Sequence, residues 1–322
     1  MSVYETQLDD ESKIDCILNH QAGARLVINR QGAELIGYRI TDQSSGSEIP
    51  LMYRDSLAEK PESGWKNHAT VLFPIVGGLK NKVSRLGETV IRTPGNHGIA
   101  RHSLFSVVGS GTGKRGRIQY RLCSNDYTRE YYPFEFQLDL TFELRGQDLA
   151  VTFEIANPGE ETMYYCFGWH PGFGTPFLQG RGKKRDCRLV LPAGQIRKYH
   201  NNEHCRLTGE TSMIAIDGPL EWTEEGLELT YMYEIDDPEK RTVTLEDPNS
   251  RVSVKMDFPE FPHLGFWSEP GDDFICIEPW QGMDDHEEQE NFDQKVGVVK
   301  LEAGSVDRRT ITLAPMFNEQ KS

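Results

Sequence analysis

Three short stretches place titratable side chains among glycine, proline and aromatic residues. They are Asn96-His97-Gly98-Ile99-Ala100-Arg101-His102, Phe167-Gly168-Trp169-His170-Pro171-Gly172-Phe173 and Cys276-Ile277-Glu278-Pro279-Trp280-Gln281-Gly282. Alternation puts Phe274, Cys276 and Glu278 on one face of a strand that Pro279 is expected to end. A carboxylate therefore enters apolar surroundings, which is costly unless it is paired or used. A histidine and a carboxylate of opposite proton role suit a reaction in which one proton is removed while another is donated. Trp169, Phe173, Trp267 and Trp280 offer faces that could stack on a sugar ring. Each stretch also has a plain structural reading: His170 as a turn residue before proline, His97 as a loop histidine, Glu278 as a salt-bridged strand end.

Other chemistries find less support. His97 and His102 are five apart and the run Asp284 to Glu288 is rich in ligand atoms. There is no His-x-His, no His-Glu-x-x-His and no cysteine zinc spacing, so no metal is expected and the acidic run reads as a solvated loop. No Gly-x-Ser-x-Gly elbow, P-loop or Gly-x-Gly-x-x-Gly is present, so neither a serine nucleophile nor a nucleotide cofactor is expected.

The elements that must position these groups read as strands. Phe134, Phe136, Leu138, Leu140, Phe142 and Leu144 alternate with polar residues. Leu149, Val151, Phe153 and Ile155 repeat the pattern after Arg145-Gly146-Gln147-Asp148, predicting an antiparallel hairpin with one buried face. Ile14 to Leu18, Leu26 to Asn29, Ala33 to Ile40, Val252 to Phe258 and Arg308 to Ala314 read as further strands. Residues 54 to 70 read as a long surface loop and residues 1 to 13 as a polar tail. No long 3.6-residue stripe appears, and the many Gly and Pro punctuate short runs. The expected fold class is all-β, with a single domain over residues 1–322.

The 322 residues carry 35 Lys and Arg against 50 Asp and Glu, a formal charge of −15. That balance argues against nucleic-acid backbones and anionic membranes as partners and leaves a neutral small molecule. None of the six cysteines forms a Cys-x-x-Cys pair, and at least Cys16, Cys166 and Cys276 lie in apolar segments as buried hydrophobes. With no signal-like apolar segment, a cytoplasmic protein is expected.

In matching order, several motifs resemble the aldose 1-epimerase (galactose mutarotase-like) family, particularly its LacX-like branch. They are Gln31-Gly32-Ala33-Glu34-Leu35, Leu72-Phe73-Pro74-Ile75-Val76-Gly77, His97-Gly98-Ile99-Ala100-Arg101, His170-Pro171-Gly172-Phe173, Phe261-Pro262-His263-Leu264-Gly265-Phe266-Trp267-Ser268 and Ile277-Glu278-Pro279-Trp280-Gln281-Gly282. The resemblance implies a β-supersandwich of large antiparallel sheets with few short helices. It also implies a cofactor-free isomerase that interconverts the α and β anomers of a hexose. By resemblance, Glu278 is the base at the anomeric hydroxyl and His170 the acid at the ring oxygen. His97 matches a substrate-hydroxyl ligand, with Arg101 on the same loop.

The chain departs from the family pattern in two places. Gly78, Lys80 and Lys82 stand where many relatives carry arginine, so Lys82 is the candidate there. The substrate-binding Asp expected before Arg241 has no direct counterpart beyond Asp236 or Asp237. The candidate site is thus Glu278 and His170 for catalysis, with His97, Arg101, Lys82, Trp280, Trp169 and Phe173 for binding. A hexose-6-phosphate epimerase, using Arg101, Lys80 and Lys82 for the phosphate, is the alternative within the same chemistry. A non-catalytic carbohydrate-binding protein is the alternative outside it. A monomer or homodimer is expected.

Overall fold

A computed structural model of the chain describes residues 4–54, 64–112, 115–178, 182–288 and 291–317. Most of the predicted loop at 54 to 70 lies outside these residues.

The period-two segments become strands of three antiparallel sheets. The hairpin is formed by Gln137–Arg145 and Asp148–Ala156, paired from Gln137 with Ala156 to Arg145 with Asp148. Its alternating Leu138, Leu140, Phe142, Leu144, Val151, Phe153 and Ile155 are fully buried. Phe134 and Phe136 precede the strand but join the same core. The pair sits inside a nine-stranded sheet that runs from Pro219–Leu220 at one edge to Ser106–Gly111 at the other.

Against it packs a seven-stranded sheet in the order Leu207–Ile216, Gly194–Asn201, Tyr231–Glu234, His263–Trp267, Phe274–Gln281, Phe167–Gly174, Ala69–Leu72. A five-stranded sheet from Tyr4–Gln7 to Glu48–Pro50 completes the sandwich. Arg30 fastens it, donating to both oxygens of buried Asp15 at 2.8 and 2.9 Å while Tyr120 of the nine-stranded sheet donates to the same carboxylate at 2.9 Å. One apolar cluster draws on all three sheets. Among the described residues helix is confined to short pieces, the α-helices being Asp126–Tyr131 and Glu224–Glu228.

Two expectations are corrected. Within the predicted polar tail, Tyr4–Gln7 is an edge strand paired with Ile14–Asn19. Backbone pairing and one buried anchor suffice at an edge: Tyr4 is buried, and its hydroxyl accepts from Gly146 N at 2.8 Å. The strand carrying Glu278 also does not end at Pro279 but continues to Gln281. Proline lacks a ladder donor, and the sheet accommodates it by opening the ladder on one side. Pairing between Phe167–Gly174 and Phe274–Gln281 stops at Gly168 with Trp280 and resumes at Gly172 with Cys276. The gap contains Pro171 on one strand and Pro279 on the other. Counting across it sets His170 opposite Glu278.

Candidate active site

Alternation decides what each strand offers to each face. On Phe274–Gln281, Ile275 and Ile277 enter the main core, whereas Phe274, Cys276, Glu278 and Trp280 turn to the other face of the sheet. On Phe167–Gly174, Trp169 and Phe173 enter the main core and His170 does not. Trp169 has no exposed surface and donates its indole N–H to Ala69 O at 3.2 Å; Phe173 is equally buried. Neither is a stacking platform, contrary to expectation, because both have the opposite parity to His170.

His170 and Glu278 meet across the opened ladder, with Nε2 3.1 Å from Oε2. They are 6% and 1% exposed. Among the described residues, both carboxyl oxygens of Glu278, His170 Nδ1 and Trp280 Nε1 are buried without a hydrogen bond of regular geometry. Two apolar clusters flank the pair: Trp65, Phe274 and Cys276 with Trp267 on one side, and Trp280 with Leu72, Val76, Met232 and Met283 on the other. Trp65 stacks on the His170 ring at 5.2 Å, and Trp267 meets its edge at 5.7 Å. Trp65 has no signal in the sequence, since it comes from the mixed-composition loop.

His97 enters from a tight segment between strands. Gly98, at φ +76°, lies so close to Phe73 that a Cβ would come within 2.4 Å of its carbonyl oxygen. His97 N donates to Gly77 O at 2.7 Å, and Gly77 N donates to His97 Nδ1 at 3.2 Å. With Nδ1 accepting, Nε2 is the protonated nitrogen. The His97 ring lies 5.2 Å from that of His170 and 6.4 Å from that of Trp280. Arg101 follows in the turn Ala100–His102, and its charge acts on both Glu34 and Glu278.

Lys82 is exposed in the turn Lys80–Lys82, while Lys80 Nζ donates to Glu287 O. Asp236 and Asp237 are exposed, and Asp237 caps a turn by accepting from Glu239 N at 3.0 Å. The nearby second carboxylate is instead Asp284. The run beginning there is not a solvated loop at its start, because Asp284 and Asp285 are 6% and 2% exposed. Asp284 accepts from Gly78 N at 2.8 Å; Asp285 accepts from Lys80 N at 2.7 Å and pairs with buried Lys295. Local composition could not reveal a partner ten residues downstream.

Electrostatics follow from enclosure. Burial, then the Asp284 charge, raise Glu278 well above the ordinary carboxyl range, against the Trp280 indole N–H and Arg101. Burial, then Arg101, lower His170 to about 3. The two groups thus share one proton across neutral pH, and these directions rest it on Glu278 with His170 neutral. Burial lowers His97 well below its usual value too, with His170 and Arg101 adding to the effect.

A pH dependence of stability follows. His68 and His263 are each lowered to about 4, chiefly by burial, and His170 to about 3. An unfolded histidine binds its proton below about pH 6.5. These residues stay unprotonated in the folded chain as pH falls from there to their own values. Each therefore removes about 1.4 kcal/mol of stability per pH unit through that window. Asp284, raised to about 6, and Glu278 take up protons in the folded state and offset part of this. Urea titrations should show stability declining below about pH 6 with net proton uptake on unfolding; stability level down to pH 4.5 would contradict the burial of the histidines.

A buried carboxyl beside a buried imidazole, walled by indoles on one face of a large antiparallel sandwich, can take one proton and give another. The chain belongs to the aldose 1-epimerase family, whose model matches residues 16–315, and it is an isomerase of that epimerase class. It is 27% identical over 255 residues to the plasmid-borne protein LacX of Lactococcus lactis subsp. lactis, covering 74% of this chain and 81% of that one. Among solved structures it is similar to a galactose mutarotase related enzyme from Lactobacillus acidophilus, at 24% identity and a TM-score of 0.82 over 98% and 99% of the two chains. A galactose mutarotase-like protein from Lactobacillus casei gives 22% identity and a TM-score of 0.79 over 97% and 100%. These likenesses bear out the sandwich fold. No helix among the described residues is long and apolar enough to cross a membrane.

Proposed function

We propose that the chain interconverts the α and β anomers of a free hexose by general acid–base ring opening, with Glu278 and His170 as the working pair. The observation that carries this reading is the 3.1 Å approach of His170 Nε2 to Glu278 Oε2, both buried. The anomeric hydroxyl and the ring oxygen are substituents of one carbon, so acid and base must stand side by side. As sugar binds, the proton resting on Glu278 passes across the 3.1 Å contact to His170; the ionised Glu278 then takes the hydroxyl proton while protonated His170 gives its proton to the ring oxygen. The bond from C1 to the ring oxygen breaks and C1 becomes a carbonyl. Rotation about C1–C2 presents the other face, and closure returns each proton to its donor. Each proton transfer contributes about 10²–10⁴-fold. His97 Nε2–H and Arg101 are suited to hold sugar hydroxyls, and Trp280 and Trp267 to line the ring.

A free sugar is favoured over a 6-phosphate because the cations available to a phosphate are otherwise placed. Arg101 already faces two carboxylates, Lys80 donates to a backbone carbonyl and Lys82 is exposed. Rates of anomer exchange should therefore be higher for free aldohexoses than for their 6-phosphates at equal concentration. A preference for the phosphorylated series would overturn this part of the reading.

A further inference from the structure

Cys276 stands two residues before Glu278 on the same face of its strand and takes no part in the proton transfers above. One ligand atom each from His170, Cys276 and Glu278 lies within 4.8 Å of the others, and all three residues are buried. Among the described residues, the carboxyl oxygens and His170 Nδ1 have no hydrogen bond of regular geometry. We propose that these three side chains form a binding site for a single soft divalent cation, zinc or a close analogue, and that its occupation reversibly blocks the enzyme.

The His170–Glu278 edge suits such an ion. Zinc–nitrogen and zinc–oxygen bonds of about 2.0–2.2 Å spanning the 3.1 Å His170–Glu278 edge meet at roughly 100°, close to tetrahedral. The sulfur completes a three-residue set with a fourth position left for water, and metal binding expels the thiol proton of Cys276. Thiolate and carboxylate together balance the charge of a dication. The neighbouring positive charge of Arg101 acts against any cation, so the ion must gain from bonding to sulfur and nitrogen; this selects zinc, cobalt or cadmium over magnesium and calcium. The donors come from two adjacent strands more than a hundred residues apart, which is why no ligand spacing is visible in the sequence. Because the ion would occupy the atoms that exchange protons with sugar, sugar and metal exclude each other.

The inhibitory half of the proposal rests on the anomerase reading; the binding half does not. The test is a titration of the chelator-treated full chain with cobalt, followed by its thiolate-to-cobalt charge-transfer absorption, with zinc used to displace it. Anomer exchange is measured alongside with zinc and then with excess chelator. One equivalent of cobalt should give the band. Cys276→Ser and His170→Asn should each weaken binding by at least roughly 10–100-fold, and zinc inhibition should be competitive with sugar and reversed by chelator. Cys276→Ala serves if the serine variant does not fold. A band that survives in Cys276→Ser or Cys276→Ala, or no band at one equivalent, overturns the site. Cobalt binding that depends on Cys276, in a chain whose metal-free form does not accelerate exchange, leaves the site standing and retires the anomerase reading.

Discussion

Glu278→Gln is expected to lose anomer exchange by about 10²–10⁴-fold or more while keeping the fold. The amide is nearly isosteric with the carboxyl and occupies the same buried site, but it cannot accept the hydroxyl proton. Its effect on stability should run the other way. The Glu278 carboxyl is raised in the folded chain, so the wild type loses stability as pH rises through that folded value and the buried group ionises. The glutamine variant carries no such penalty and should be at least as stable above neutral pH. Loss of activity with equal or greater stability is the signature of a residue strained for function. Polarimetry and urea unfolding on one preparation read both, and retention of wild-type exchange would remove Glu278 from the mechanism.

Asp285→Asn is expected to cost about 3–5 kcal/mol, the usual penalty for leaving one partner of a buried ion pair uncompensated. Lys295 and Asp285 are 5% and 2% exposed. Asp285 also accepts from Lys80 N at 2.7 Å, and its own N donates to Gly78 O at 3.2 Å. The pair therefore locks the loop after Gly282 onto the Gly77 to Lys80 segment, which in turn holds His97 through Gly77. Catalysis should fall with stability, through displaced Asp284 and His97. The double variant Asp285→Leu/Lys295→Met should recover much of the stability, because two apolar groups leave no unpaired charge. A single variant within 1 kcal/mol of wild type, on the order of an ordinary surface change, would mean that water reaches the pair.

How far the sequence led depended on how local the governing physics was. Strands with one buried face show themselves, because alternation is dictated by the pleat; the hairpin at Gln137 to Ala156 was readable in nearly every residue. The same rule, applied across Gly168 to Phe173, separates Trp169 and Phe173 from His170, and reading those rings as a sugar platform overlooked it. Other features depend on distant partners. Asp284 and Asp285 look like solvated acid until Lys295 and Gly78 are brought to them. Pro279 looks like a strand end until the ladder is seen to open opposite Pro171. Trp65 reaches His170 from a segment with no periodicity, and Cys276 becomes a candidate ligand only when His170 lies beside it.

The central claim concerns the wild-type chain, and exchange between anomeric proton signals measures it directly. Selective inversion of the α-anomer H1 resonance of a free aldohexose should transfer to the β-anomer at a rate proportional to protein concentration. The equilibrium ratio of anomers should not change, and Glu278→Gln should abolish the effect. If no aldohexose, free or phosphorylated, exchanges faster than in buffer while the sugar still binds saturably, the chain is a carbohydrate-binding protein on this scaffold and the proposed chemistry is wrong.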